Sequence, residues 1–138
     1  EIFPYLRTTW IQIRVEREIW EGKPGGLQRA EALALQGINM CADMDEPRYY
    51  RASMRILLIE SRLKGLGPET MTEEDWSHSE RRLRPFTQLR FRLKLMKMMW
   101  HLRLGQVDDA RLLAQRLLER PECNGYRTAL IKKLLSDR

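Results

Sequence analysis

The sequence has only two cysteines in 138 residues, Cys41 and Cys123, far apart and in no CxxC pair. That excludes a disulfide-stapled scaffold and the usual cysteine-built zinc sites. The two thiols read as reduced side chains of a cytoplasmic protein, and a disulfide between them has nothing to support it. There are only two histidines, His78 and His101, and no HExxH spacing. The glycines form no GxGxxG or GKS/GKT phosphate loop, and no serine lies in a GxSxG elbow. No run of about 18 apolar residues occurs, so a membrane-spanning helix is excluded. The opening Glu1-Ile2-Phe3-Pro4-Tyr5 lacks the basic-then-apolar pattern of a secretory signal. It starts on Glu rather than Met, so the chain is expected to be a piece of a longer protein.

One local pattern hints at catalysis. His78-Ser79-Glu80 is similar to the start of a zinc-deaminase signature, but Pro121 is followed by Glu122 and the lone Cys123 instead of Pro-Cys-x-x-Cys. With that hint removed, no catalytic residue, metal or cofactor is expected, and the chain reads as a non-enzyme.

What is present is ordinary in amount and uneven in placement. The length is that of one ordinary domain, able to bury about two thirds of its unfolded surface. Hydrophobic residues make up 43% and charged residues 32%, which excludes disorder. Residues 1–76 carry 10 Lys/Arg against 13 Asp/Glu, a net of −3, whereas 77–138 carry 15 against 6, a net of +9. Such asymmetry points to an acidic partner for the second half, or to a plain solvated basic face.

Proline and glycine punctuate the chain into helical segments. The first is expected over 5–21, closed by Gly22-Lys23-Pro24-Gly25-Gly26. The second, 27–43, repeats Ala30, Leu33, Ala34, Gly37, Ile38 and Cys41 at helical spacing. Asp45-Glu46-Pro47 has the chemistry of a helix start. It opens a third segment, 46–64, with Tyr49, Ser53, Ile56, Leu57 and Leu63 on one face. Gly65-Leu66-Gly67-Pro68 stops it. Thr72-Glu73-Glu74-Asp75 reads as a capping sequence for a short fourth helix ending near Arg84. The fifth runs over 86–104. The sixth opens at Asp108-Asp109 and ends before Pro121-Glu122-Cys123-Asn124-Gly125. The last, 126–136, is expected to bury Leu130, Ile131 and Leu134. Residues 11–15 and 89–95 alternate locally like strands, but their uninterrupted segments are too long for that. Trp10, Trp20, Trp76 and Trp100 are expected in the core.

The first, third and fifth segments start near residues 5, 46 and 86, each ends on glycine, and each precedes a shorter helix. A fixed period of about 40 residues is the mark of stacked helical hairpins. The stretch from Leu104-Gly105-Gln106-Val107-Asp108-Asp109-Ala110 to Leu117-Leu118-Glu119-Arg120-Pro121 resembles the second half of a tetratricopeptide repeat. Gly105, Ala110, Leu118 and Pro121 match its turn, small residue, hydrophobic heel and terminal proline. The match covers about 20 residues, with Ala30-Glu31-Ala32-Leu33-Ala34 a fainter echo, and bulky Met98 stands where the first helix of the unit has a small residue. The long period is similar to the degenerate repeats of bacterial transcription activators of the maltose-regulator type. The resemblance implies an all-α fold, antiparallel hairpins stacked as a short tetratricopeptide-like α-solenoid of about seven helices over 1–138.

The fifth segment carries two apolar stripes, Phe86, Leu89, Leu93, Met96, Trp100 and Leu104 on one side and Phe91, Leu95, Met98, Met99 and Leu102 on the other. A helix apolar on two faces is packed between neighbours. Between them Arg90, Lys94, Lys97 and His101 recur at i, i+4, i+7 and i+11. In a solenoid the first helix of each hairpin lines the concave face, so this ladder is the candidate partner-binding site. It suits an acidic protein or peptide, or else a nucleic-acid backbone. The expected function is a protein-binding scaffold or regulatory module. The alternatives are a nucleic-acid-binding helical domain and a structural or oligomerisation segment of a larger assembly.

Overall fold

The structure, a computed structural model, describes residues 3–41, 47–65 and 68–136, with side chains placed at 6–41, 48–64 and 69–136. Seven α-helices account for nearly all of it. They are α1 (Phe3–Glu21), α2 (Gly26–Met40), α3 (Pro47–Gly65), α4 (Glu73–Leu83), α5 (Thr87–Arg103), α6 (Val107–Leu118) and α7 (Gly125–Ser136), with a 3-10 turn at Pro68–Thr70. No strand occurs among the described residues, so the chain is all-α as expected. The segments that alternate at period two are helical because their apolar residues also recur every three to four positions. In α1, for instance, Ile11, Val15 and Ile19 are buried and Ile13 faces outward. The expected helix end at Asp43, the cap at Asp45-Glu46 and the stop at Leu66-Gly67 lie outside the described residues. The helices form two compact units, Glu1–Met71 and Thr72–Arg138.

In the first unit α2 packs against both α1 and α3. Its buried line is made of small residues, Ala30, Ala34 and Gly37, followed at its end by Cys41. Small side chains let three helix axes come close, and Gly37 is the tightest point. A Cβ there would lie 2.9 Å from Met54 Sδ of α3 and 3.3 Å from Ile11 Cγ2 of α1. Ile11, Val15, Ile19, Met54, Leu57 and Leu58 close around this line as the core. The α1–α2 turn needs Gly22 at φ 64 and Gly25 at φ 74, left-handed values that only glycine adopts without strain. Arg29 braces the turn. Its Nε and Nη2 donate to Glu18 Oε2 at 3.1 and 3.0 Å, and its Nη1 donates to the Pro24 carbonyl at 3.2 Å. The guanidinium hydrogen bond holds the Glu18 carboxyl below its ordinary pKa, with burial opposing it more weakly. Tyr49, expected inside, is 54% exposed.

The second unit begins with the capping box read from the sequence. Thr72 Oγ1 accepts from the Asp75 amide at 3.3 Å and Asp75 Oδ2 accepts from the Thr72 amide at 2.9 Å. Helix α5 packs between α4 and α6, as its two apolar faces require. Phe91, Met98 and Leu102 meet Ala110, Ala114 and Leu117 of α6 and Ile131 of α7. Bulky Met98 is accommodated because the facing helix supplies two alanines. Leu130 and Leu134 are only half-buried beside Ile131. The turn after α5 is a Schellman motif: the Gly105 amide donates to the Leu102 carbonyl and the Gln106 amide to the His101 carbonyl, with Gly105 at φ 76. Asn124 caps α7 by accepting from the Arg127 amide at 2.9 Å.

Candidate functional site

The four residues of the basic ladder do fall on one line of α5, as their spacing dictates, and that line faces α4. Lys97 Nζ lies 2.9 Å from Glu73 Oε2, and Lys94 Nζ lies 3.6 Å from Glu80 Oε1. The lysine side chains are 25% and 23% exposed, so each is half enclosed by the α4–α5 seam. His101 is 6% exposed. Its Nδ1 is 2.7 Å from Gln106 Oε1, its Nε2 is 3.9 Å from Glu73 Oε1, and its ring lies tilted by 54° against Trp100 at 4.9 Å. Glu73 therefore serves Lys97 and His101 together from the first turn of α4. Arg90 is half-buried, its Nη1 reaching the Arg84 carbonyl at 3.4 Å. The ladder thus joins α5 to α4 from Lys94 to His101, and its outer end is Arg90, which reaches back to the Arg84 carbonyl.

Sequence reasoning missed one member of this outer end. Burial lowers the pKa of Lys94, and Arg120 and then Arg90 lower it further by like charge, while Glu80 opposes them. Arg120 follows α6, 26 positions from Lys94 along the chain, and no local periodicity links the two. Arg120 and Arg90 thus lie close enough to Lys94 to act on it by like charge, and Glu80 opposes them.

A second surface was missed for a different reason. Of the four tryptophans expected in the core, Trp76 and Trp100 are buried, with ring centroids 5.6 Å apart. Trp10 and Trp20 are 56% and 78% exposed on α1, in line with Leu6 at 58% and Ile13 at 52%. The correction is geometric. Ile11, Val15 and Ile19 already fill the inward face of α1, and the residues at 6, 10, 13 and 20 lie on the opposite side. Their spacing of four, three and seven was visible in the sequence and was the available signal. Cations flank the indoles, with Arg14 Cζ 4.8 Å from the Trp10 ring centroid and Lys64 Nζ 4.8 Å from that of Trp20.

Among the described residues, no group of three or more His, Cys, Asp or Glu side chains could hold a metal ion. Both cysteines are free. Burial raises the Cys41 thiol pKa, with Arg51 opposing it, which makes it a poor nucleophile. No helix among the described residues is long and apolar enough to cross a membrane. No known protein family, curated protein or solved structure gives a significant match to the chain.

Proposed function

We propose that this chain is a protein-binding module of tetratricopeptide-like helical hairpins, acting as a cytoplasmic scaffold or regulatory domain rather than as an enzyme. The observation that supports this reading best is the outer face of α1. Four large apolar side chains in one line are uncovered on a helix whose other face already fills a core. Single exposed apolar residues are ordinary, but a contiguous apolar patch marks an interaction site. The two free thiols fit a reducing compartment. The test is a photoreactive amino acid at position 13, with and without Trp10→Ser and Trp20→Ser. Cross-links to another polypeptide, lost in the double variant while its circular dichroism and melting stay unchanged, are expected. A face that cross-links to no polypeptide sinks the reading.

The outer end of the α5 ladder favours a second reading, binding to a nucleic-acid backbone. Arg90 and Arg120 both act on Lys94 by like charge, and Glu80 pairs with it. Arg90→Gln with Arg120→Gln removes two of these charges and spares the Lys94–Glu80 pair. Under the protein reading, random duplex binds only weakly near physiological salt. Tight binding that falls by a slope of about 0.9 per neutralised phosphate, and is lost in the double variant, replaces the first reading with the second.

A further inference from the structure

Leu6, Trp10, Ile13, Arg17 and Trp20 are spaced four, three, four and three along α1. That is the period of 3.5 residues by which one helix presents a seam to another. From residue 6 to residue 20 the seam runs about 21 Å, or four turns. We propose that this outer face of α1 docks an amphipathic helix with acidic margins, supplied by another protein. The proposal rests on the protein-binding reading above and names the kind of partner.

The acidic character follows from the seam's charges. Arg7 and Arg14 lie seven residues apart on one margin. Arg14 stacks on Trp10, and Arg7 has no partner among the described residues. Lys64 caps Trp20 at the far end and is itself paired with Glu60 at 3.4 Å. On the same surface, Glu21 is already engaged by Lys23 at 3.2 Å and more loosely by Arg17 at 3.9 Å. Of the other carboxylates on α1, Glu18 lies near Arg14 but is held by Arg29, and Glu16 falls on the margin opposite Arg7 and Arg14 by helical angle. Arg17, 69% exposed along its side chain, interrupts the apolar line near its middle. A polar group within a helical seam fixes register when its partner supplies the complement, and here the complement is a carboxylate.

The same observations weigh against a second copy as occupant. It would have to present this same patch across a two-fold axis, which in an antiparallel pairing sets the Arg7 and Arg14 margin against its own duplicate. The exposed parts of the four apolar side chains offer on the order of 500 Å², less than the roughly 800 Å² per partner of a stable interface. A patch of that size suits one helix whose margins add charge pairs.

The test uses the whole chain and two fluorescein-labelled helical peptides of about four turns. Both carry an apolar seam, one flanked by Glu and the other by Lys, and binding is read by anisotropy. The Glu peptide is expected to bind at least about tenfold more tightly than the Lys peptide near 0.1 M salt. Trp10→Ser with Trp20→Ser abolishes that binding, and Arg14→Glu with Arg17→Glu reverses the preference, in variants whose circular dichroism is unchanged. Equal binding of the two peptides, insensitive to the charge reversal, overturns the acidic assignment and leaves a protein-docking seam. A concentration-dependent dimer in sedimentation, lost in Trp10→Ser, overturns it in favour of a second copy. Capture by phosphatidylserine vesicles with neither peptide bound overturns it in favour of a membrane. If neither peptide binds while the position-13 cross-link to another polypeptide persists, the acidic helix fails and the protein-binding reading stands. If both are lost, both fall.

Discussion

In residues 1–71 the central helix is slim, and Ala30, Ala34 and Gly37 let α1 and α3 close on it. In residues 72–138 the central helix is bulky, and it is the outer helix α6 that thins to Ala110 and Ala114. The slim helix is packed along an apolar line, with Arg29–Glu18 and Arg62–Glu31 bridges at its edges. The bulky one also carries Lys94, Lys97 and His101 into the α4 seam, where Glu80, Glu73 and Gln106 meet them. Outside, the roles reverse: the first unit leaves tryptophans uncovered, while the second keeps its tryptophans inside and Lys94 and Lys97 half enclosed. Charge follows the same division. Counted at the structural boundary, residues 1–71 hold 10 Lys/Arg and 10 Asp/Glu, and 72–138 hold 15 and 9, so the whole excess of +6 belongs to the second unit. Part of that excess is answered internally, so net charge overstates the open basic surface.

The largest expected effect breaks the close approach in the first unit. Gly37→Leu places a branched side chain where even a Cβ meets Met54 at 2.9 Å. It should lower stability in urea denaturation by about 3 kcal/mol. Gly37→Ala should be near neutral, because the flexible Met54 yields and the gain of about 1 kcal/mol in helix propensity offsets the shift. A tolerated Leu would show that α2 is not pinned between its neighbours.

The matching change in the second unit is Ala110→Leu, expected to cost roughly 1–3 kcal/mol by overpacking against α5. The same replacement at exposed Gln115 should stay within about 0.5 kcal/mol. Equal effects at the two sites would place α6 in the wrong register.

Next in size is Thr72→Ala, which removes the capping box that starts α4. A loss of about 1 kcal/mol is expected, with α4 amides exchanging faster than those of α5 and α6. Uniform protection across the three helices would contradict a separately anchored α4.

The smallest effect concerns Glu18. Its pKa is lowered in the folded state, so its contribution is present above its ordinary value of 4.5 and is lost as pH falls through the lower folded value. Acid should therefore loosen the α1–α2 pair, and Arg29→Met should flatten that part of the pH–stability curve. An unchanged acid limb in the variant would remove the bridge from the account.

Helices were legible wherever caps and periodicity agreed. Thr72 and Asp75 marked one start, Gly105 marked one stop, and the two stripes of α5 named its buried apolar residues but not His101, which the ladder had set on the binding surface. Ala110 was legible because a small residue recurred where helices meet. The basic ladder was legible as a line but not as a seam, since nothing local in 90–101 says that Glu73 and Glu80 lie opposite it. Arg120 was invisible for the same reason. Trp10 and Trp20 were misplaced because side-chain type was weighed above helical angle. A large apolar residue favours burial only if its face of the helix has something to bury against. On α1 that face was already taken by Ile11, Val15 and Ile19.

The placing of the four indoles gives the molecule a built-in optical label for each half. Trp10 and Trp20 stand in water on the first unit, open to a soluble quencher such as iodide. Trp76 and Trp100 lie shielded in the second, and the Trp76 Nε1 hydrogen has no acceptor among the described residues. Emission from the first pair is that of a hydrated indole and responds to whatever covers α1. Emission from the second is that of an indole in an apolar surrounding and responds to the parting of α4 from α5. Differential quenching thus separates an event on the α1 surface from one inside the second unit, without any introduced dye.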